Sequence, residues 1–161
     1  MTELVQRALA IALTQVGVRE HGRNRGPEID TYNRDIGHDP NAADPWCAIF
    51  VCAMFRRAAD QMGIRCPVPL TAGVWTLDER SPASVRRVDP TPGAIFILGG
   101  HKHTGLVLDV ADGGHLLATI EGNTNDAGSH DGDGVYQRTR KTLEVQFYLD
   151  YSRYTMPPGV T

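Results

Sequence analysis

The sequence predicts an α+β domain, with helices first and an antiparallel β-sheet second, and three observations lead there. Apolar residues recur at helical spacing through roughly the first half of the chain. From Pro92 onward the pattern changes to short runs bounded by Gly and Asp, several of them rich in apolar or β-branched residues. At 161 residues and 41% hydrophobic content, the chain has enough apolar surface for one sizeable core. Helices gathered in one half and strands in the other point to α+β rather than an alternating α/β order. The reading is a single domain over residues 1–155 with a C-terminal tail over 156–161.

Composition excludes several classes of function. The net charge is −3 and no basic run would attract nucleic acid or an anionic membrane. No stretch approaches the ~20 apolar residues of a membrane span. Residues 2–16 carry Glu3 and Arg7 around a short apolar run, so they are not read as a signal peptide. The expectation is synthesis in the cytoplasm, with delivery by other means if the protein acts outside the cell. Three cysteines are an odd count with no paired framework, and read as free thiols. They lack the C-x-x-C spacing and the close His pair of a zinc site.

The first helix is expected from Leu4, Val5, Ala8, Ile11, Ala12 and Val16, with Thr2 as N-cap and a stop near Gly17. A polar loop follows to Gly26. Pro27 opens a short helix over 28–35 that places Ile29, Tyr32 and Ile36 on one side. Residues 37–44 are a polar connection. Asp44-Pro45 then reads as N-cap and first position of the next helix. Its apolar face is Ile49, Cys52, Met54, Phe55, Ala58, Ala59 and Met62, and Gly63 is its stop. Thr71 caps a further short helix through Arg80. Strands are expected over 94–98, 104–110, 115–120, 134–138 and 143–149, with Asp112-Gly113-Gly114 as a hairpin turn.

Chemistry concentrates at the start of the third helix. A free thiol has a pKa of about 8.5, which a helix N-terminus or a nearby imidazolium lowers into the thiolate range. Cys47 would occupy such a first turn; the alternative is a small buried hydrophobe. Cys52 lies about 140° further round the helix, on another face, and reads as core. Cys66 reads as structural. A nucleophilic thiol needs a base, and six histidines are available. His21, His38, His115 and His130 fall in loops or a turn. His101 and His103 stand at the start of the strand over 104–110, and His103 runs straight into it. His103 shares its face with Gly105, whose missing side chain leaves room for another group. On the next strand, alternation puts Glu121 and Asn123 on one side. Either could hold the far nitrogen of a histidine and fix its tautomer.

Four pieces in order resemble the CHAP family, the cysteine, histidine-dependent amidohydrolases/peptidases of the papain-like group. They are Trp46-Cys47-Ala48-Ile49-Phe50-Val51, Pro92-Gly93-Ala94-Ile95-Phe96, His103-Thr104-Gly105-Leu106-Val107 and Glu121-Gly122-Asn123. Residues 12–37, with Gly17-Val18-Arg19-Glu20, Asn24 and Tyr32, are similar to the leader of phage-type endolysins of that family. The resemblance implies a papain-like fold and hydrolysis of an amide bond in the peptide part of peptidoglycan; separately, a monomer is expected. It implies Cys47 as nucleophile, His103 as base, and Glu121 or Asn123 as the orienting residue. Trp46 and Tyr32 would be substrate walls. No cofactor is implied by this chemistry. Some CHAP domains bind Ca²⁺ just before the cysteine. Here residues 37–44 offer oxygens but no aromatic and two nearby prolines, so Ca²⁺ is not favoured. Residues 123–134 lack the EF-hand spacing and read as a mobile loop beside the site. Two alternatives keep the fold: a deamidase-type enzyme or antibacterial effector that turns the same Cys–His pair on another bond, and a non-catalytic wall-binding module.

Overall fold

The computed structural model describes residues 1–125 and 132–155 and has the expected α+β architecture. The tail over 156–161 and most of the Asp/Gly-rich loop, residues 126–131 with His130, lie outside the described residues. Four α-helices come first among the described residues: α1 Glu3–Thr14, α2 Pro27–Asp35, α3 Cys47–Met62 and α4 Val74–Arg80. Leu4, Val5, Ala8 and Ala12 bury one stripe of α1 against α3. In α2, Pro27 takes the first turn as expected, and Ile29 and Tyr32 are buried. The organising element is α3. Every residue from Ala48 to Phe55 is fully buried, so its first half is apolar all round and covered on all sides. It ends at Gly63, whose φ of 65° is the left-handed stop the sequence predicts.

Two helix starts differ from expectation. Trp46, not Asp44, is the N-cap of α3, and it makes no side-chain capping bond. Asp44 and Pro45 stay outside the helix because the Asp44 carboxylate is taken by His38 Nε2 at 2.9 Å. The shift leaves Cys47 as the first helical residue. At α4 the N-cap is Gly73, and Thr71 instead accepts a hydrogen bond from the Gly73 N–H through Oγ1.

Six strands form one antiparallel sheet: β1 Arg86–Arg87, β2 Ile95–Leu98, β3 Thr104–Ala111, β4 Leu116–Thr124, β5 Gly134–Lys141 and β6 Val145–Leu149, in spatial order β1-β6-β2-β3-β4-β5. β5 and β6 are joined by only three residues, Thr142–Glu144. That link spans at most about 14 Å between Cα atoms. Four strand spacings of a flat sheet would hold them roughly 19 Å apart. The sheet therefore curls, and its two faces have separate cores. Ile95, Ile97, Leu106, Ile120, Val135 and Leu149 join the helices in one cluster. Ala94, Phe96, Leu98, Val107, Leu117 and Tyr148, alternating with these along the strands, form a second cluster.

The helix layer meets the sheet closely at one point. A Cβ on Gly122 would lie 2.7 Å from both Phe50 Cβ and Trp46 Cζ3. This bare backbone lets the first turn of α3 rest on β4. Gly122→Ala should cost about 1–3 kcal/mol by overpacking and should also lower activity, because it pushes Cys47 away from the sheet. Urea melts and turnover of the same variant check this together.

Candidate active site

α3 and the sheet deliver three side chains to one place. Cys47 is the first residue of α3, where its backbone N–H has no acceptor within the helix. It is 4% exposed and lines a groove of about 360 Å³ with Asp44, Pro45, Ala72–Val74, His101 and Lys102. His103 stands one residue before β3, fully buried, with the Cys47 side chain close enough to its ring to shift its titration. His103 Nε2 lies 2.8 Å from Glu121 Oε2 on β4. An ionised carboxylate only accepts, so Nε2–H is the donor there and Nδ1 is the nitrogen left for Cys47.

Glu121 is itself held firmly. Oε1 accepts from Thr119 Oγ1 at 2.6 Å and Arg140 Nε at 2.8 Å, and Oε2 accepts from Arg140 Nη2 at 2.6 Å as well as from His103. All four acceptor positions of this buried carboxylate are filled. Room for it comes from Gly105, where a Cβ would lie 2.8 Å from Glu121 Cγ and Phe96 Cε1. The space expected beside His103 is thus occupied by the residue that orients it.

The charges follow from these contacts. Burial alone would pull the His103 pKa down, but the interactions of its charged ring with Cys47 and the Glu121 carboxylate outweigh it and push it up to about 9. Burial would likewise raise Glu121, yet Arg140 and His103 bring it down to about 2. The two shifts act on stability in opposite directions. The raised His103 contributes fully below its ordinary 6.5 and loses its contribution as pH rises through about 9. The depressed Glu121 contributes fully above its ordinary 4.5 and loses its contribution as pH falls towards 2. Urea midpoints should therefore peak between about pH 4.5 and 6.5 and decline on both sides, and replacing His103 with Gln should flatten the alkaline decline.

Asn123 is placed differently from Glu121. Its φ of 56° marks a β-bulge, where three steps along β4 match two along β5. The alternation that would carry it along with Glu121 is broken there. Its side-chain amide is buried and has no hydrogen-bond partner among the described residues, so Glu121 alone of the two holds His103 Nε2.

Trp46 and Tyr32 are not groove walls, because both are completely buried. Trp46 Nε1 donates to Glu20 Oε1 at 2.7 Å, and the Tyr32 hydroxyl donates to Gln15 Oε1 at 2.8 Å. Their rings pack together, 6.2 Å apart, under the start of α3. Glu20 is a positioning residue that the sequence reading missed. Its Oε2 also accepts from the Asn24 N–H, and Asn24 Nδ2 donates to the Ala43 carbonyl, which ties this loop to the approach to Cys47. The signal for it was the indole itself, since a buried Trp N–H needs an acceptor. Arg140 was missed as well.

The other thiols are set apart. Cys52 is buried, donates to the Pro69 carbonyl and is pushed up to about 12 by burial. Cys66 is pushed up to about 11 for the same reason. Both stay protonated at neutral pH. Among the described residues no group of three or more His, Cys, Asp or Glu is placed to hold a metal ion. Within residues 37–44, Asp39 Oδ1 caps a short turn through the Asn41 N–H, and Asp44 pairs with His38. No helix among the described residues is long and apolar enough to cross a membrane.

Cys47, His103 and Glu121 thus form a buried cluster at the edge of a groove. No known family's sequence pattern, no curated protein and no solved structure matches the chain.

Proposed function

We propose that the chain is a cysteine-dependent amidase or endopeptidase of the CHAP type, papain-like in arrangement, which hydrolyses an amide bond in the peptide part of peptidoglycan. The observation that carries this reading is the thiol at the first residue of α3, set beside an imidazole whose far nitrogen is fixed by a buried, fully satisfied carboxylate. A thiol kept only for packing has no need of a base oriented in this way. The family resemblance of residues 46–51, 92–96, 103–107 and 121–123 supplies the substrate class.

In this mechanism His103 Nδ1 takes the Cys47 proton and the sulfur attacks the amide carbonyl carbon. The carbonyl π bond opens to an oxyanion, which the backbone N–H of Cys47 helps to hold; one such donor is typically worth about 3–4 kcal/mol. The C–N bond then breaks, and the imidazolium passes its proton to the leaving amine. A water enters, His103 removes its proton, and hydroxide attack on the thioester releases the acid and restores the thiol. Glu121 keeps Nε2–H fixed throughout, and Arg140 keeps Glu121 ionised. The cycle needs no cofactor. Peptidoglycan is the partner, reached by a monomer after release or delivery from the cytoplasm.

The pH profile reports on the base. Imidazolium is needed to protonate the leaving amine, and the raised His103 pKa keeps it populated well above 6.5. Activity on isolated cell walls should hold through neutrality and fall only as pH passes about 9. An alkaline limb near 6.5 would contradict it. The decisive experiment on substrate class is mass spectrometry of fragments released from purified peptidoglycan, which should show new amino and carboxyl termini within the peptide portion. Unchanged muropeptides would reject the reading.

A further inference from the structure

A second built cluster faces the same groove. Trp75 on α4 is 65% exposed, while its neighbours Val74 and Leu77 are buried. Its ring lies 4.6 Å from that of His101, which lines the groove beside Cys47. His101 has a left-handed backbone, φ 55°, which a non-glycine residue adopts at a cost. Its ring is held from behind: Nε2 pairs with Asp78 Oδ2 at 2.7 Å, Asp78 pairs through its other oxygen with Arg86, and both His101 and Arg86 pack on Phe147. Hydrolysis at Cys47 uses none of this. Nδ1 of His101 is the nitrogen this arrangement leaves for a ligand. The next residue, Lys102, is exposed, lines the same groove and has no carboxylate partner among the described residues.

We propose that Trp75, His101 and Lys102 form a specificity subsite for a substrate residue carrying a free carboxylate close to the scissile amide. The inference rests on the hydrolase reading and names the kind of peptide that reading left open. The Lys102 ammonium takes the carboxylate as a charge-assisted hydrogen bond, His101 Nδ1 meets the adjoining peptide group, and the exposed Trp75 face covers the aliphatic stem. A neutral amide in place of the carboxylate loses the ion pair and presents N–H donors to an ammonium that only donates.

The test is calorimetric titration of the Cys47→Ala chain, which binds without turnover. The probes are L-Ala–γ-D-Glu–L-Lys amide, with a free carboxylate on its middle residue, and the same peptide with that group as a primary amide. The carboxylate form should bind at least about 10-fold more tightly, as a charged hydrogen bond allows. Adding Lys102→Gln should erase the difference, and Trp75→Ala should weaken both peptides by a similar factor. Equal binding of the two, binding of neither, or a preference that survives Lys102→Gln overturns the subsite. The hydrolase reading is judged separately, by whether the wild-type chain releases new termini from purified peptidoglycan, and it can stand when the subsite falls.

Discussion

Cys47→Ser is expected to fold normally and to lose essentially all hydrolysis, a fall on the order of 10⁴-fold or more in kcat/KM, as for loss of a nucleophile elsewhere. The oxygen replaces sulfur at a position that is nearly buried, so the core around Ala48–Phe55 is undisturbed and the urea midpoint should barely move. A serine there is a poor substitute because a hydroxyl surrenders its proton far less readily than a thiol. The reading to take is release of new termini from purified peptidoglycan at matched protein concentration. A Cys47→Ser chain with a tenth or more of the wild-type rate would mean that another group attacks the amide.

The second large effect is on stability. Glu121→Ala removes the carboxylate that separates the Arg140 guanidinium from the His103 ring, both of them buried. Arg140 then loses the carboxylate that takes its Nε and Nη2 donors, and the buried His103 Nε2 loses its partner. Breaking a buried pair from one side typically costs about 3–5 kcal/mol, a large share of a domain's net stability. Urea denaturation should show that loss. Activity should fall as well, because the imidazole loses its fixed direction. Glu121→Gln keeps an oxygen acceptor and the shape, and so should lose less of both. Equal stability of Glu121→Ala and the wild type would show that the four hydrogen bonds around this carboxylate carry no net weight.

Much of the fold was legible because its signals are local. Gly63 stops α3, Pro27 opens α2, and Asp112-Gly113-Gly114 turns β3 into β4, each as its residue type dictates. The features that were not legible depend on distant partners. Asp44-Pro45 looks like a helix start in isolation, but His38 claims the carboxylate, and the helix begins at Cys47. β1 is two arginines with no period to detect. The curl of the sheet follows from the strand order, which no local pattern encodes.

The site divides in the same way. Cys47, His103 and Glu121 stand in short stretches whose residue types fit their chemistry, and the fold brings those three together. Arg140 reaches Glu121 only through the pairing of β4 with β5. Trp46 and Tyr32 adjoin the nucleophile in sequence or fold, yet an aromatic residue that supports a site from below and one that lines it look identical in a sequence. Trp75 could have been suspected, since it falls out of phase with the buried Val74 and Leu77 of its own helix.

The central claim is that His103 activates Cys47, and site-resolved alkylation tests it most directly. Iodoacetamide labelling at pH 7, followed by mass spectrometry of each cysteine peptide, should show Cys47 reacting at least about 100-fold faster than Cys52 or Cys66, in keeping with an activated thiol beside two buried ones. In the His103→Ala chain that advantage should fall by about 10-fold or more, while His101→Ala should leave it in place. Slow and equal labelling of all three thiols, or a Cys47 rate indifferent to the loss of His103, would contradict the pairing on which the proposed hydrolase depends.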